Sequence, residues 1–152
     1  MTSIEPIIFG ADEQLVTLSA VLAGYLSFPK KKIIIALIIM AFSNALPDCL
    51  SYYHEKINDG INKKKAIKMT TIVFLTEVIS TLIIITPIIF INDTKTSILI
   101  SYSFIFLILL FINYYKDKNI VESLEKMPVY FSIGFIIWVI SKMAQKYFKI
   151  DI

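Results

Sequence analysis

The sequence predicts an all-α membrane protein, a single-domain bundle of five transmembrane helices, and three observations predict it. Apolar residues make up 57% of the 152-residue chain and mean hydropathy is +0.73, well above the roughly 45–50% apolar content of soluble domains. These residues gather in five runs, each near the length of about 20 residues that a helix needs to cross the hydrocarbon. Lysines separate the runs in short clusters, as expected of helix ends held at lipid headgroups.

Helix 1 is expected from about Pro6 to Phe28, with Pro6 suited to a first helical position and Pro29 and the triplet Lys30, Lys31, Lys32 marking the stop. The residues before Pro6 lack the basic start of a signal peptide, so this first segment is expected to be retained. Helix 2 follows from about Ile33 to Tyr53. The stretch His54 to Lys65 reads as a short polar link outside the membrane, with an Asp59-Gly60 turn signal. Helix 3 spans about Ala66 to Ile91, with Pro87 near its exit, and Asn92-Asp93 turns the chain into helix 4, about Ser97 to Tyr115. Lys116 to Lys126 reads as a charged interfacial stretch. Helix 5 covers about Met127 to Tyr147, with Pro128 in its first turn and Trp138 and the terminal aromatics as interface anchors. No internal repeat is evident.

The net charge of +3 comes from lysines alone among the basic residues, scattered between apolar runs with no basic face, which argues against a nucleic-acid partner and for the bilayer. The single cysteine, Cys49, permits no internal disulfide, and no Cys/His spacing resembles a zinc site. A P-loop and a nucleophile elbow are both absent, so nothing points to an enzyme or to a permanently bound cofactor. Lysine is nearly balanced between the two sides, so the positive-inside rule leaves the orientation open.

The chemistry lies in carboxylates within the apolar runs, because an acid at a transmembrane helix centre costs roughly 2.5–3.5 kcal/mol on insertion scales. Glu13 on helix 1 and Asp48 on helix 2 both fall roughly 8–11 Å below one surface at 1.5 Å per residue, and Glu77 on helix 3 falls about 16 Å from that surface. Met40, Asn44 and Asp48 follow at four-residue spacing and share a face, with Ser51 close to it. Pro47 frees the carbonyl of Ser43, and such carbonyls line ion cavities. Glu13 and Thr17 share a face continued by Ala20 and Gly24, a small-residue stripe suited to close helix approach. Oxygen ligands with one soft sulfur suit Mn(II) or Fe(II) better than a closed zinc site, carboxylates also accept Ca(II) and Mg(II), and the same groups can exchange a proton for a metal ion. Bland readings stand beside these: Asp12 and Glu13 suit the positive end of helix 1, Asp48 a structural hydrogen bond or snorkelling to water, and Glu77 a protonated acid bonded to Thr81 or to a neighbouring helix. Met40, Met69 and Cys49 suit packing, and His54 with Glu55 a solvated helix end.

The segment Ile7 to Gly24, IIFGADEQLVTLSAVLAG, resembles the first helix of the vacuolar iron transporter family, which reads like I-x-G-x-x-D-G-L-V-T followed by A-G. Glu13 takes the place of the family's aspartate and Gln14 that of its glycine. The stretch Ser43 to Ser51, SNALPDCLS, is similar to the second-helix pattern S-M-A-x-G-E-Y-L-S, with Asp48 on its glutamate, Asn44 on its methionine and Pro47 on its glycine. Ala66 to Pro87 resembles the third helix, and Ser123 to Met127 followed by Ile133-Gly134 the start of the last. The resemblance implies a homodimeric, proton-coupled exporter of Fe(II), and often Mn(II), from the cytosol into a vacuole-like store, with a cytosolic N-terminus and a cytosolic 54–65 link. By motif position Glu13 and Asn44 line the ion path, with Asp48 beside them. Family members insert a glutamate-rich cytosolic helical domain between helices 2 and 3; here only the lysine-rich His54 to Lys65 stands in that place.

Two expectations result. The first is a reduced divalent-cation/proton exchanger with Glu13, Asp48, Asn44, Glu77 and Met40 as metal ligands and Glu13, Asp48 and Glu77 as proton carriers. The alternative is a membrane scaffold or assembly protein that keeps the five-helix fold without transport.

Overall fold

The computed structural model describes residues 4–148 and is all-helical over them, with α1 Glu5–Gly24, α2 Lys30–Asn58, α3 Lys63–Phe90, α4 Thr94–Asp117 and α5 Ile120–Phe148. The two ends, 1–3 and 149–152, lie outside the described residues. All five helices are long and apolar enough to cross a membrane. The chain is thus an integral multi-pass membrane protein whose environment is a lipid bilayer.

Local chemistry sets the ends, and several differ from the sequence reading. Helix α1 begins with Pro6 in its first turn, as expected, but stops at Gly24, with the Tyr25 N–H donating to Val21 O at 3.0 Å. Residues 25–28 turn the chain instead of extending the helix. The lysine triplet is not a stop but the first turn of α2, entered from Pro29, which needs no N–H there. Lys30 reaches across to donate to the carbonyls of Ile89 and Ile91, both at 2.9 Å, satisfying acceptors at the end of α3.

The polar links are shorter than their composition suggests. Residues 54–58 continue α2, and the turn is confined to Asp59–Asn62, where Gly60 takes φ 77, a left-handed value natural to glycine. Asn62 then caps α3 by accepting from the Lys64 N–H at 2.9 Å. Asp93 caps α4 from the Thr96 N–H at 2.8 Å, and its bonds to Thr96 hold its carboxyl below the usual aspartate range. The charged stretch 116–126 is helical apart from Lys118 and Asn119, with Lys118 in the left-handed region at φ 56. Pro128 consequently sits inside α5, not in its first turn.

Helix α1 is the axis of the bundle and touches all four others, while α3 packs on α1, α2 and α4. The core is a column of aliphatic side chains, including Leu15, Leu18, Leu37, Ile84 and Leu109, none of them exposed. Two hydroxyls inside it bond to backbone, as lipid offers no alternative: Ser101 donates to Ile84 O at 2.8 Å and Tyr102 to Ser19 O at 2.6 Å. Apolar side chains such as Ile39, Leu46, Leu99, Phe111 and Phe135 point outward on every side. In water such a surface is a liability; in hydrocarbon it is the solvated face.

Candidate functional site

Helices α1 and α2 run antiparallel, and two contacts one turn apart fix their register. Lys56 Nζ lies 2.9 Å from Glu5 Oε1, and the rings of Phe9 and Tyr52 have centroids 4.9 Å apart. The next step of four residues on each helix brings Glu13 to the level of Asp48, within electrostatic range of it. A further step matches Thr17 with Asn44. The level shared by Glu13 and Asp48 is therefore set by side-chain contacts on either helix, not by depth arithmetic alone.

Helices α1 and α3 run parallel, and a glycine decides how closely. A Cβ on Gly10 would lie 2.8 Å from Val73 O and 3.4 Å from Glu77 Cγ, so the backbones approach as only glycine allows. One turn on, Gln14 Nε2 donates to Thr81 Oγ1 at 2.7 Å, and Thr81 in turn donates to Glu77 O at 3.0 Å. Glu77 thus stands level with Gly10 and Glu13, where counting from Ala66 placed it deeper. The reason is that the two helices do not start at one height: Glu77 lies well over three turns into α3 and Glu13 little more than two turns into α1, so the first turns of α3 project beyond the start of α1.

The three acids occupy different surroundings. Glu77 has no exposed surface, and neither carboxylate oxygen has a hydrogen-bond partner among the described residues. The expected bond to Thr81 is absent, because that hydroxyl already serves Gln14 and the Glu77 backbone. Asp48 is half-buried, and Glu13, expected inside the bundle, is exposed on its flank. Glu77 is nonetheless within electrostatic range of both. Acids from three helices therefore lie at one level, with no ion pair to any of the three among the described residues, Lys116 being in range of Glu13 but paired with Asp12.

Around this level the other predicted residues divide. Asn44 and Met40 lie half-buried on the Asp48 stripe, Met40 beside Ser43 in a groove toward the opposite surface. Ser43 donates its hydroxyl to Ile39 O at 2.9 Å. Glu13 also lines a cavity of about 370 Å³ with Glu5, Asp12 and Lys116, in which Lys116 pairs with Asp12. Cys49 is buried and donates weakly to Thr70 O at 3.5 Å, within electrostatic range of Glu77. No group of three or more His, Cys, Asp or Glu side chains is arranged to hold a metal ion among the described residues.

Two participants escaped the sequence reading. Gln14 appeared there only as a lost packing glycine, yet it is a buried amide joining α1 to α3, with its Oε1 left without a partner. Lys56, 5% exposed, faces Glu5, Glu55 and Asp59 and lies over the Tyr52 ring. Its signal was present: the Met40, Asn44, Asp48 stripe continues at the same spacing through Tyr52 to Lys56. No family model, no curated protein and no solved structure matches the chain.

Proposed function

We propose that the chain is a proton-coupled transporter of a divalent metal cation, with Fe(II) and Mn(II) as its cargo. The observation that carries the reading is the meeting of Glu13, Asp48 and Glu77 at one level of three adjacent helices without a paired cation. Lys116 lies within electrostatic range of Glu13 but is paired with Asp12, so carboxylates gathered in a low-dielectric surrounding still call for positive charge, which a metal ion or protons can supply. Glu13, Asp48 and Asn44 form the half-open side of this group and bind the cation. Met40 offers a thioether one turn beyond Asn44, and Glu77, sealed from outside, is the proton carrier. The resemblance of the first two helices to vacuolar iron transporters supports the direction, from cytosol to a vacuole-like store, with the N-terminus cytosolic.

A homodimer belongs to the same proposal. Glu13 is exposed on the flank of one chain, and a second copy laid against the first half of α1 and the Asp48 half of α2 would enclose the carboxylate seam while leaving the opposite half of α2 to the lipid.

The test is uptake by purified protein in liposomes under a pH gradient, read with a metal-sensitive and a pH-sensitive dye. Fe(II) or Mn(II) should enter as the lumen changes pH in step, and Glu13→Gln or Asp48→Asn should stop both signals. Failure of every cation tried would sink the reading. The alternative is a non-transporting membrane scaffold, favoured by the lack of a three-ligand metal cluster among the described residues; it predicts that neutralising all three acids leaves function and folding intact.

A further inference from the structure

Because α1 stops at Gly24, the first turns of α2 are left uncovered on one side, and the Tyr25–Phe28 turn forms a wall beside them. The rings of Tyr25 and Phe28 brace each other with centroids 4.9 Å apart. Between wall and helix lies a groove of about 600 Å³, running from Lys32 at its mouth past Ile39 to Met40 and Ser43. Its lining is apolar below Lys32, since the Ser43 hydroxyl is already committed to Ile39 O.

Length and charge identify what fits. Lys32 and Ser43 are separated by about 16 Å along the helix axis, close to the roughly 15 Å that is half the hydrocarbon thickness. One acyl chain of one leaflet has that reach. Lys32 lines the mouth, and the charge around it is all of one sign: Lys30 is spent on the α3 carbonyls, whereas Lys32 and its sequence neighbour Lys31 have no ion pair among the described residues. The first turn of α2 holds no acid, and the acid of the neighbouring α3–α4 turn, Asp93, is committed to capping α4. Two lysines at the positive end of a helix repel its dipole unless an anion joins them.

We propose that this groove binds an anionic phospholipid, one acyl chain lying against Ile39 and Met40 and the phosphate held by Lys32, with Lys31 of the same helical turn adding positive charge beside it. The chain end then stops one helical step short of Asn44, at the edge of the carboxylate group. A zwitterionic lipid fits the groove equally but offers no net charge to the lysines, so discrimination rests on the headgroup.

The test is native mass spectrometry of the purified chain from nanodiscs of phosphatidylcholine with increasing phosphatidylglycerol. Phosphatidylglycerol should be retained in preference to phosphatidylcholine, and Lys32→Gln should weaken its retention roughly fivefold. Ala36→Trp, which fills the groove without touching a charge, should remove it, whereas Lys64→Gln on the opposite surface should leave it unchanged. Each variant is accepted only with wild-type helicity and elution volume, and if Ala36→Trp does not fold, the surface change Lys32→Gln decides. Equal retention of the two lipids, or wild-type retention in a folded Ala36→Trp, overturns the proposal. So does efficient cross-linking of Ile39→Cys in a Cys49→Ser background between two copies, which would mean that a second chain fills the groove.

Discussion

Gln14 Nε2 donates to Thr81 Oγ1 at 2.7 Å, joining α1 to α3 one turn beyond the point where Gly10 lets Val73 and Glu77 close in. The two contacts act together: the glycine sets the distance between the helices and the amide sets their register. Both side chains of the hydrogen bond are buried, so neither has water as an alternative partner.

Removing the amide tests the register. Gln14→Leu keeps the volume and loses the bond, and about 1 kcal/mol of stability should go with it, read as a lower midpoint in thermal unfolding in detergent. The Thr81 hydroxyl keeps its bond to Glu77 O, which limits the loss. A midpoint equal to that of the native chain would mean that the bond adds nothing to the bundle.

Overpacking tests the close approach. Gly10→Ala places a methyl 2.8 Å from Val73 O, a backbone atom that can move only with its helix. The expected cost is about 1–3 kcal/mol, measured by the same unfolding, with protease sensitivity rising in α1 and α3. Ala at position 60 would be a poor control, since Gly60 carries its own left-handed backbone.

The Lys56 network tests how α1 and α2 are held at the end where Glu5 sits. Lys56→Met strands Glu5, Glu55 and Asp59, but these acids are partly exposed and water can serve them. A loss of about 2 kcal/mol is expected, between the values of exposed and buried ion pairs. A double-mutant cycle with Glu5→Gln isolates the 2.9 Å pair; additivity would show that the contact does not couple the helices.

The identity of the cation is tested at Asn44. Asn44→Met replaces a hard amide by a thioether one turn from Asp48, and soft ligands favour Fe(II) over Mg(II) and Ca(II). Transport of Fe(II) should rise relative to that of Ca(II) in competition assays, while Asp48→Asn in the same background abolishes both. An unchanged ratio would remove Asn44 from the cation path.

Helix count, order and the Met40, Asn44, Asp48 stripe were legible in the sequence because they depend on length, hydropathy and spacing along one chain. The equal level of Glu13 and Asp48 was legible too, since a short turn between antiparallel helices leaves little freedom of register. The helix ends were less so: the polar residues 54–58 and 120–126 fold as helix because a helix can continue into headgroups and water, where composition alone suggests a link.

Five apolar spans separated by lysines, with acids on the first three, are what the sequence determined by itself, because the cost of placing polar groups in hydrocarbon acts residue by residue. Only the tertiary structure decided that Glu77 is sealed, that Glu13 opens on the flank and that Gln14 ties α1 to α3. Those outcomes depend on which helices are neighbours, how closely Gly10 lets them pack and how far each extends beyond the membrane, and none of these is a property of a single segment.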